Sequence, residues 1–286
     1  MKQIFWRNGE WLSNEPMVSG PLQISFWSGS SVFDGARAIR GALPDIALHA
    51  ERVVNSAKAM LLDPGLDART IEGLCREAAG RLPADTDYYI RPMFYSTSQG
   101  VAPEGSDTEF VLAVFEAPLP EPIAGRACLS SFRRCATDQA PTNAKAGCLY
   151  PNGQRALMEA RERGFDLPVM LDPDGNVAEF STANIWIVKD GVAKTPAANG
   201  TFLAGITRKR LTGLLKEGGI PVEEAVLSAE DLATADEMIV CGNFGKIQAI
   251  SGYEEREMAP GPVFERARKL YMDFVESERQ EQAAAE

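Results

Sequence analysis

Histidine is nearly missing from this chain: 286 residues contain one, His49. Catalysis by a Ser-His or Cys-His pair therefore has a single possible base and little support. Cysteine is also sparse. The five present (Cys75, Cys128, Cys135, Cys148, Cys241) are odd in number and show no C-x-x-C spacing, so neither a disulfide framework nor a zinc site is expected. No apolar run approaches the length of a membrane span, and no basic segment followed by an apolar one opens the chain, so a soluble, cytoplasmic protein without a membrane partner is expected. Basic residues fall short as well: 29 Lys and Arg against 40 Asp and Glu leave a net charge of -11. That balance argues against nucleic acid as a partner while leaving room for local positive pockets. No internal repeat is visible.

What remains is an ordinary globular balance, 45% apolar and 24% charged, in a chain long enough for two cores. Residues 1 to 48 read as strands. Asn8-Gly9 between apolar runs marks a tight hairpin, and a strand-like pattern runs from Phe26 to Ile39, interrupted by Gly29 and Gly35. Helical spacing covers His49 to Leu61 and Thr70 to Leu82, and strands follow at Tyr88 to Tyr95 and Phe110 to Phe115. Pro118, Pro120 and Pro122 mark a composition shift, so a small α+β domain is expected over 1-117, an interdomain linker over 118-125 and a larger domain over 126-286. The larger domain alternates strands with helices. Helices are expected from Tyr150 to Arg163, Thr207 to Lys216 and Pro262 to about Glu278, a capping box at Ser228 to Asp231, and a frayed QEQAAAE tail.

The chemistry concentrates between Thr142 and Trp186. Lys145 lies among small residues in TNAKAGCLYPNGQ, a tyrosine follows five positions later, and Glu179 precedes a Ser/Thr/Asn-rich turn in VAEFSTANIW. A lysine amine can form a Schiff base with an aldehyde. A carboxylate beside a pyridine nitrogen keeps that nitrogen protonated, so the ring withdraws electrons. These are the parts needed to hold an aldehyde cofactor. GITR (Gly205 to Arg208) opens a helix, where backbone N-H groups and the helix dipole favour an anion such as the phosphate of that cofactor.

Taken together, SVFDGARAIRG, HAERVVNSA, YYIRP, KAGCLY, LPVMLDPDGNVAEFSTANIW, FLAGITRKR and ADEMIVCGNFGKI resemble the class IV aminotransferases. These are fold type IV enzymes that use pyridoxal 5'-phosphate, and within them the chain is most similar to the branched-chain amino acid aminotransferases. The resemblance covers nearly the whole chain. It implies a two-domain fold with a pseudobarrel-like C-terminal domain, a homodimer, and an amino donor and a 2-oxo acid acceptor as small-molecule substrates. It further implies that Lys145 is the catalytic lysine, that Tyr150 hydrogen-bonds the cofactor's phenolic oxygen and that Glu179 partners the pyridine nitrogen. Leu203 would stack on the ring, and Arg52, Ile206, Thr207 and Asn243 would bind the phosphate. Phe33, Gly35, Arg37, Tyr89, Arg91 and Phe244 correspond to substrate positions, and His49 to a structural one. Tyr89 and Arg91 alternate along one strand, so both can serve one cavity.

The substrate pocket departs from the family pattern. Ser28 and Ile39 stand where aromatic residues are usual, and Gly242-Asn243-Phe244 replaces a Gly-Thr-Ala turn. GVAP (Gly100 to Pro103) is similar to the D-amino-acid enzymes, yet Gln99 stands where they carry arginine and no histidine follows. Transamination between an apolar L-amino acid and 2-oxoglutarate is the leading expectation. An (R)-amine or D-amino-acid transaminase, an aminodeoxychorismate-lyase-like enzyme, and a cofactor-free binding protein on the same fold are the alternatives.

Overall fold

A computed structural model of the chain describes residues 2–285. Contacts divide it into two compact units. The first holds the residues up to Leu119, Asn143–Leu149, and the residues from Val275 onward; the second holds Pro120–Thr142 and Tyr150–Phe274. The single boundary expected at 117 does not include those two later segments.

The first unit is built on a six-stranded antiparallel sheet. Its elements are β1 (Gln3–Arg7), β2 (Glu10–Leu12), α1 (Ile24–Trp27), β3 (Ser31–Phe33), β4 (Ala36–Ala38), α2 (Ile46–Ala59), α3 (Ala68–Gly80), β5 (Tyr88–Ser96) and β6 (Thr108–Glu116). Strand order is β2-β1-β6-β5-β3, with β4 also on β5. Asn8 and Gly9 join β1 to β2 at φ 53° and 86°, the paired left-handed turn that the Asn-Gly sequence specifies. Two expectations fail here. The strand pattern from Phe26 starts inside α1, because Ser28 and Gly29 turn the chain before pairing with β5 begins at Ser31. The strand-only stretch also ends early, since α2 starts at Ile46.

Helices α2 and α3 cover one face of this sheet. Val53, Ala57, Ile71, Cys75 and Ala78 from the helices meet Ile90, Phe94, Leu112 and Val114 from β5 and β6. A fully buried aliphatic side chain such as Ile71, Ile90 or Leu112 contributes about 1.5–3 kcal/mol through area removed from water. Asp67 caps α3 by accepting from the Thr70 amide at 2.8 Å. Ala144 and Ala146 are fully buried in the same core, although they lie far along the chain.

The second unit carries β7 (Ile123–Arg133), α4 (Tyr150–Glu162), β8 (Leu167–Leu171), β9 (Val177–Phe180), β10 (Asn184–Lys189), β11 (Val192–Pro196), α5 (Ile206–Glu217) and β12 (Val222–Ala225). It continues through α6 (Ala229–Thr234), β13 (Glu237–Gly242), β14 (Lys246–Tyr253), β15 (Arg256–Glu257) and α7 (Pro262–Ala285), whose last residues group with the first unit. Its nine-stranded mixed sheet has the order β12-β11-β10-β13-β14-β7-β8-β9, with β15 on β14. The sheet curls into a half-barrel, so that terminal β9 lies against β10 and β11. Mixed helix and sheet in two units makes the fold α+β.

Several readings need correction here. Part of the segment expected as linker is strand, since β7 begins at Ile123 and Pro122 already accepts from the Ala249 amide at 2.8 Å. The tail expected to fray continues α7 as far as Ala285. Strands β11 and β12 have no counterpart in the sequence reading. The capping box is present: Ser228 Oγ accepts from the Asp231 amide at 3.3 Å and Asp231 Oδ2 from the Ser228 amide at 2.7 Å.

Candidate active site

Each unit carries part of the expected residue set. In the first, Lys145 follows a strand-like path beside β3. The Phe33 amide donates to its carbonyl at 3.1 Å, and Val32 bridges to Ala146. The Lys145 amide donates to Ser56 Oγ on α2 at 3.0 Å. Its two alanine neighbours are small because they sit at zero exposure in the core, and this fixes the lysine's backbone. The amine Nζ stands 5.0 Å from the centroid of the Phe33 ring.

Side chains on β5 alternate from Tyr88 to Phe94. Tyr88, Ile90 and Phe94 face the helices, and Tyr89 and Arg91 take the opposite face together. Arg37 lies opposite Tyr89 on β4 and Phe115 opposite it on β6. The Tyr89 and Phe115 rings stack at 5.5 Å. The Arg91 guanidinium is 5.8 Å from the Phe33 ring, 5.1 Å from Tyr89 and 5.4 Å from Phe115. Its Nε is buried and has no hydrogen-bond partner among the described residues. Arg37, fully buried, donates through Nη1 to the Ala117 carbonyl at 2.5 Å and stands 5.9 Å from the Tyr89 ring. The sequence-predicted Phe33, Arg37, Tyr89 and Arg91 thus share one sheet face.

Arg52 is tied to a residue that the sequence reading passed over. Its Nε and Nη2 donate to the two oxygens of Asp34 at 2.6 and 2.8 Å. His49 Nδ1 lies 2.7 Å from Asp34 Oδ1, which also accepts from the Gly35 amide at 2.7 Å. Asp34 is fully buried. Burial pushes its pKa up, but the Arg52 guanidinium and His49 outweigh that and hold the carboxyl well below the usual range. The one available signal was an aspartate inside SVFDG together with H-x-x-R, three apart on one helix face.

In the second unit, Glu179 lies on β9, a strand buried on both faces, so alternation does not turn it to solvent. Its Oε1 is 3.2 Å from Arg134 Nη2, and its Oε2 accepts from Asn184 Nδ2 at 3.0 Å. Asn184 Nδ2 also donates to the Leu203 carbonyl at 2.9 Å, so one amide links the positions of Glu179 and Leu203. Arg134 Nε is buried without a hydrogen-bond partner among the described residues. Tyr150 is the first residue of α4, and the approach of that helix to the strand end is close: a Cβ on Gly153 would stand 3.1 Å from the Ser181 carbonyl oxygen.

Helix α5 begins at Ile206 and has no side-chain cap. The Ile206 and Thr207 amides, in its first turn, have no intrahelical acceptor. Gly205 cannot be replaced cheaply, since a Cβ there would lie 2.0 Å from Asn184 Oδ1. Arg208 turns inward to Thr195 Oγ1, the Pro196 carbonyl and Glu224 at 3.1, 2.7 and 2.8 Å, so the R of GITR is structural. Asn243 and Phe244 sit on the turn between β13 and β14, and Phe244 is exposed. A buried carboxylate held by Arg134 and Asn184, with a helix start and a polar turn in the same unit, suits a cationic ring nitrogen and a phosphate tail. Asp34, Arg134 and Asn184 were not singled out in the sequence. No group of described residues could hold a metal ion, and no described helix is long and apolar enough to cross a membrane.

Residues 31–253 match the family model described as amino-transferase class IV. The chain is 30% identical to the branched-chain-amino-acid aminotransferase of Escherichia coli K12, covering 96% of this chain and 94% of that protein. It superposes on an aminotransferase from Brucella abortus bound to the co-factor PLP with a TM-score of 0.94 and 42% identity, covering 96% and 100% of the two chains. The branched-chain amino acid aminotransferase of T.th., complexed with N-(5'-phosphopyridoxyl)-L-glutamate, matches with a TM-score of 0.88 and 29% identity over 97% and 95%.

Proposed function

Since the chain belongs to the class IV aminotransferases, enzymes that use pyridoxal 5'-phosphate, we propose that it moves the amino group of a branched-chain L-amino acid to 2-oxoglutarate. When bound, the cofactor ring supplies the electron withdrawal that lets the substrate α-proton leave. Lys145 would hold the cofactor aldehyde through its amine, and the same amine, when free, would move the substrate α-proton. Glu179 would partner the pyridine nitrogen, and Arg134 and Asn184 hold its carboxylate in place. Tyr150 would donate to the phenolic oxygen, and Leu203 would pack on the ring. The Ile206 and Thr207 amides, Asn243 and Arg52 bind the phosphate. Asp34 holds Nε and Nη2 of Arg52 and so fixes the orientation of that guanidinium.

The observation that carries the acceptor assignment is Arg91. A guanidinium walled by Phe33, Tyr89 and Phe115, with Nε unsatisfied among the described residues, offers an apolar box and a cation in one place. The box suits a branched aliphatic side chain, and the cation suits the distal carboxylate of a dicarboxylate. Gly35 and Phe244 complete the substrate contacts. Two relatives are named for branched-chain substrates, and one was solved with a glutamate adduct of the cofactor.

The test is a donor panel on protein supplied with cofactor. L-leucine, L-valine and L-isoleucine should each convert 2-oxoglutarate to glutamate, and borohydride should fix cofactor on Lys145. Turnover confined to D-amino acids or (R)-amines would defeat the assignment. The protein also acts as a homodimer: Leu22, Phe26 and Trp27 are 67%, 68% and 53% exposed around α1, an apolar face that a second copy would cover.

A further inference from the structure

Lys246 is the first residue of β14, only 2% exposed, and its backbone lies in the left-handed region at φ 59°. Lysine is seldom buried this deeply, and a left-handed conformation strains it because it lacks the local hydrogen bonds that let Asn and Asp adopt one. Both features fall on one residue, at a turn that glycine would close without strain. Such coincidences mark positions kept for a site. Lys246 Nζ donates to Asn243 Oδ1 at 2.7 Å, across the same turn, and stands 5.8 Å from the Tyr271 ring centroid.

An ammonium carries donors and no acceptor. The atom it meets on Asn243 must therefore be the carbonyl oxygen, which sets an amide orientation that is otherwise ambiguous. The NH2 end of Asn243 becomes its donor end, directed away from Lys246. This matters at an anion site, because an asparagine turned the other way would present an oxygen to the phosphate. A threonine hydroxyl, usual at this position in the family, rotates to donate and needs no such constraint. The turn continues from β13, which packs against α5, so the uncapped Ile206 and Thr207 amides belong to the same part of the unit.

We propose that Lys246 is a positioning residue of the phosphate cradle: it fixes Asn243 with its amide NH2 toward a phosphomonoester and adds a buried positive charge to the turn. This rests on the pyridoxal phosphate site described above. Lys246 itself carries out no proton transfer.

Resolved apoprotein is titrated with pyridoxal 5'-phosphate and with pyridoxal, which shares the ring and aldehyde but lacks the phosphate. Lys246→Met should raise the Kd for the phosphorylated ligand roughly ten- to a hundredfold while leaving pyridoxal within about twofold. Lys246→Arg should recover part of the loss. Asn243→Asp keeps an acceptor for Lys246 but turns an anionic oxygen toward the phosphate, and should lose at least as much as Lys246→Met. An unchanged affinity ratio in Lys246→Met overturns the proposal, as does an equal loss of both ligands or an Asn243→Asp protein that binds like wild type. Where Lys246→Met fails to fold, Lys246→Gly, which the left-handed turn accepts without strain, is titrated in its place and read by the same ratio. If borohydride fixes neither ligand on Lys145 in the wild type, the cofactor assignment falls and takes this proposal with it.

Discussion

Replacing Arg91 with methionine exchanges a guanidinium for a side chain of similar length and no charge, so the Phe33, Tyr89 and Phe115 rings keep a packing partner. A carboxylate paired with a guanidinium in such a box loses about 3–5 kcal/mol when one partner is removed. Arg91 is half-buried, which places the loss nearer about 3–4 kcal/mol. At about 1.4 kcal/mol per decade, kcat/KM for 2-oxoglutarate should fall roughly 10²- to 10³-fold. The half-reaction with L-leucine has no distal carboxylate, and its rate should stay within about threefold. Stability should move the other way. Arg91 brings a cation whose Nε has no hydrogen-bond partner among the described residues to the sheet face that already holds Arg37, so the melting temperature should hold or rise. Single-turnover absorbance with each substrate, alongside thermal melts, measures all three quantities. Equal losses with both substrates would assign Arg91 to the shared α-carboxylate or to folding, and no loss with either would remove it from the site.

Arg52→Ala leaves the fully buried Asp34 carboxylate without its main partner, so urea unfolding of apoprotein should show a loss of about 3–5 kcal/mol. Cofactor affinity should be compared with an Asp34→Asn, Arg52→Ala double variant, in which no unpaired carboxylate remains. Because the Asp34 pKa is depressed on folding, its stabilisation is complete above the ordinary aspartate range and is lost as pH falls through the depressed value. Wild-type stability should therefore decline below about pH 5, with a flatter slope in Asp34→Asn. Glu179→Gln removes the charge opposite Arg134, and should slow the leucine half-reaction by roughly 10²-fold or more while lowering the melting temperature. If the proposed dimer forms through α1, Phe26→Glu with Trp27→Glu should shift the sedimenting species from dimer to monomer, and a wild-type monomer that is fully active would contradict that proposal.

The sequence was most legible where a feature is set by neighbours a few residues apart. The Asn8-Gly9 turn, the Ser228–Asp231 capping box and the α5 start at Ile206 all depend on such local choices. Lys145 and Glu179 stood out by residue type and spacing. Hidden were the distant partners of Glu179 and Arg52. Arg134 lies 45 residues before Glu179 and meets it through the parallel and antiparallel pairing of β7, β8 and β9. Asp34 reads as one more acid in a short strand until α2 brings His49 and Arg52 over it. Strand β7 was obscured by the prolines before it, and β11 by ending on Pro196 with a lysine in its middle. The α7 tail was misread because an alanine-rich terminus looks equally suited to fraying and to helix.

The excursion of Asn143–Leu149 into the first unit has a consequence for synthesis on the ribosome. A nascent chain that has emerged only as far as Leu119 holds all six strands and three helices of that unit, yet lacks Ala144 and Ala146 of its core. The residues from Val275 onward, which also belong to it, are made later still. The N-terminal unit cannot be completed in the order in which it is translated. Its early sheet must wait, partly uncovered, through the synthesis of more than half of the chain, so expression of residues 1–119 as a separate fragment should yield aggregation-prone protein while the full chain folds.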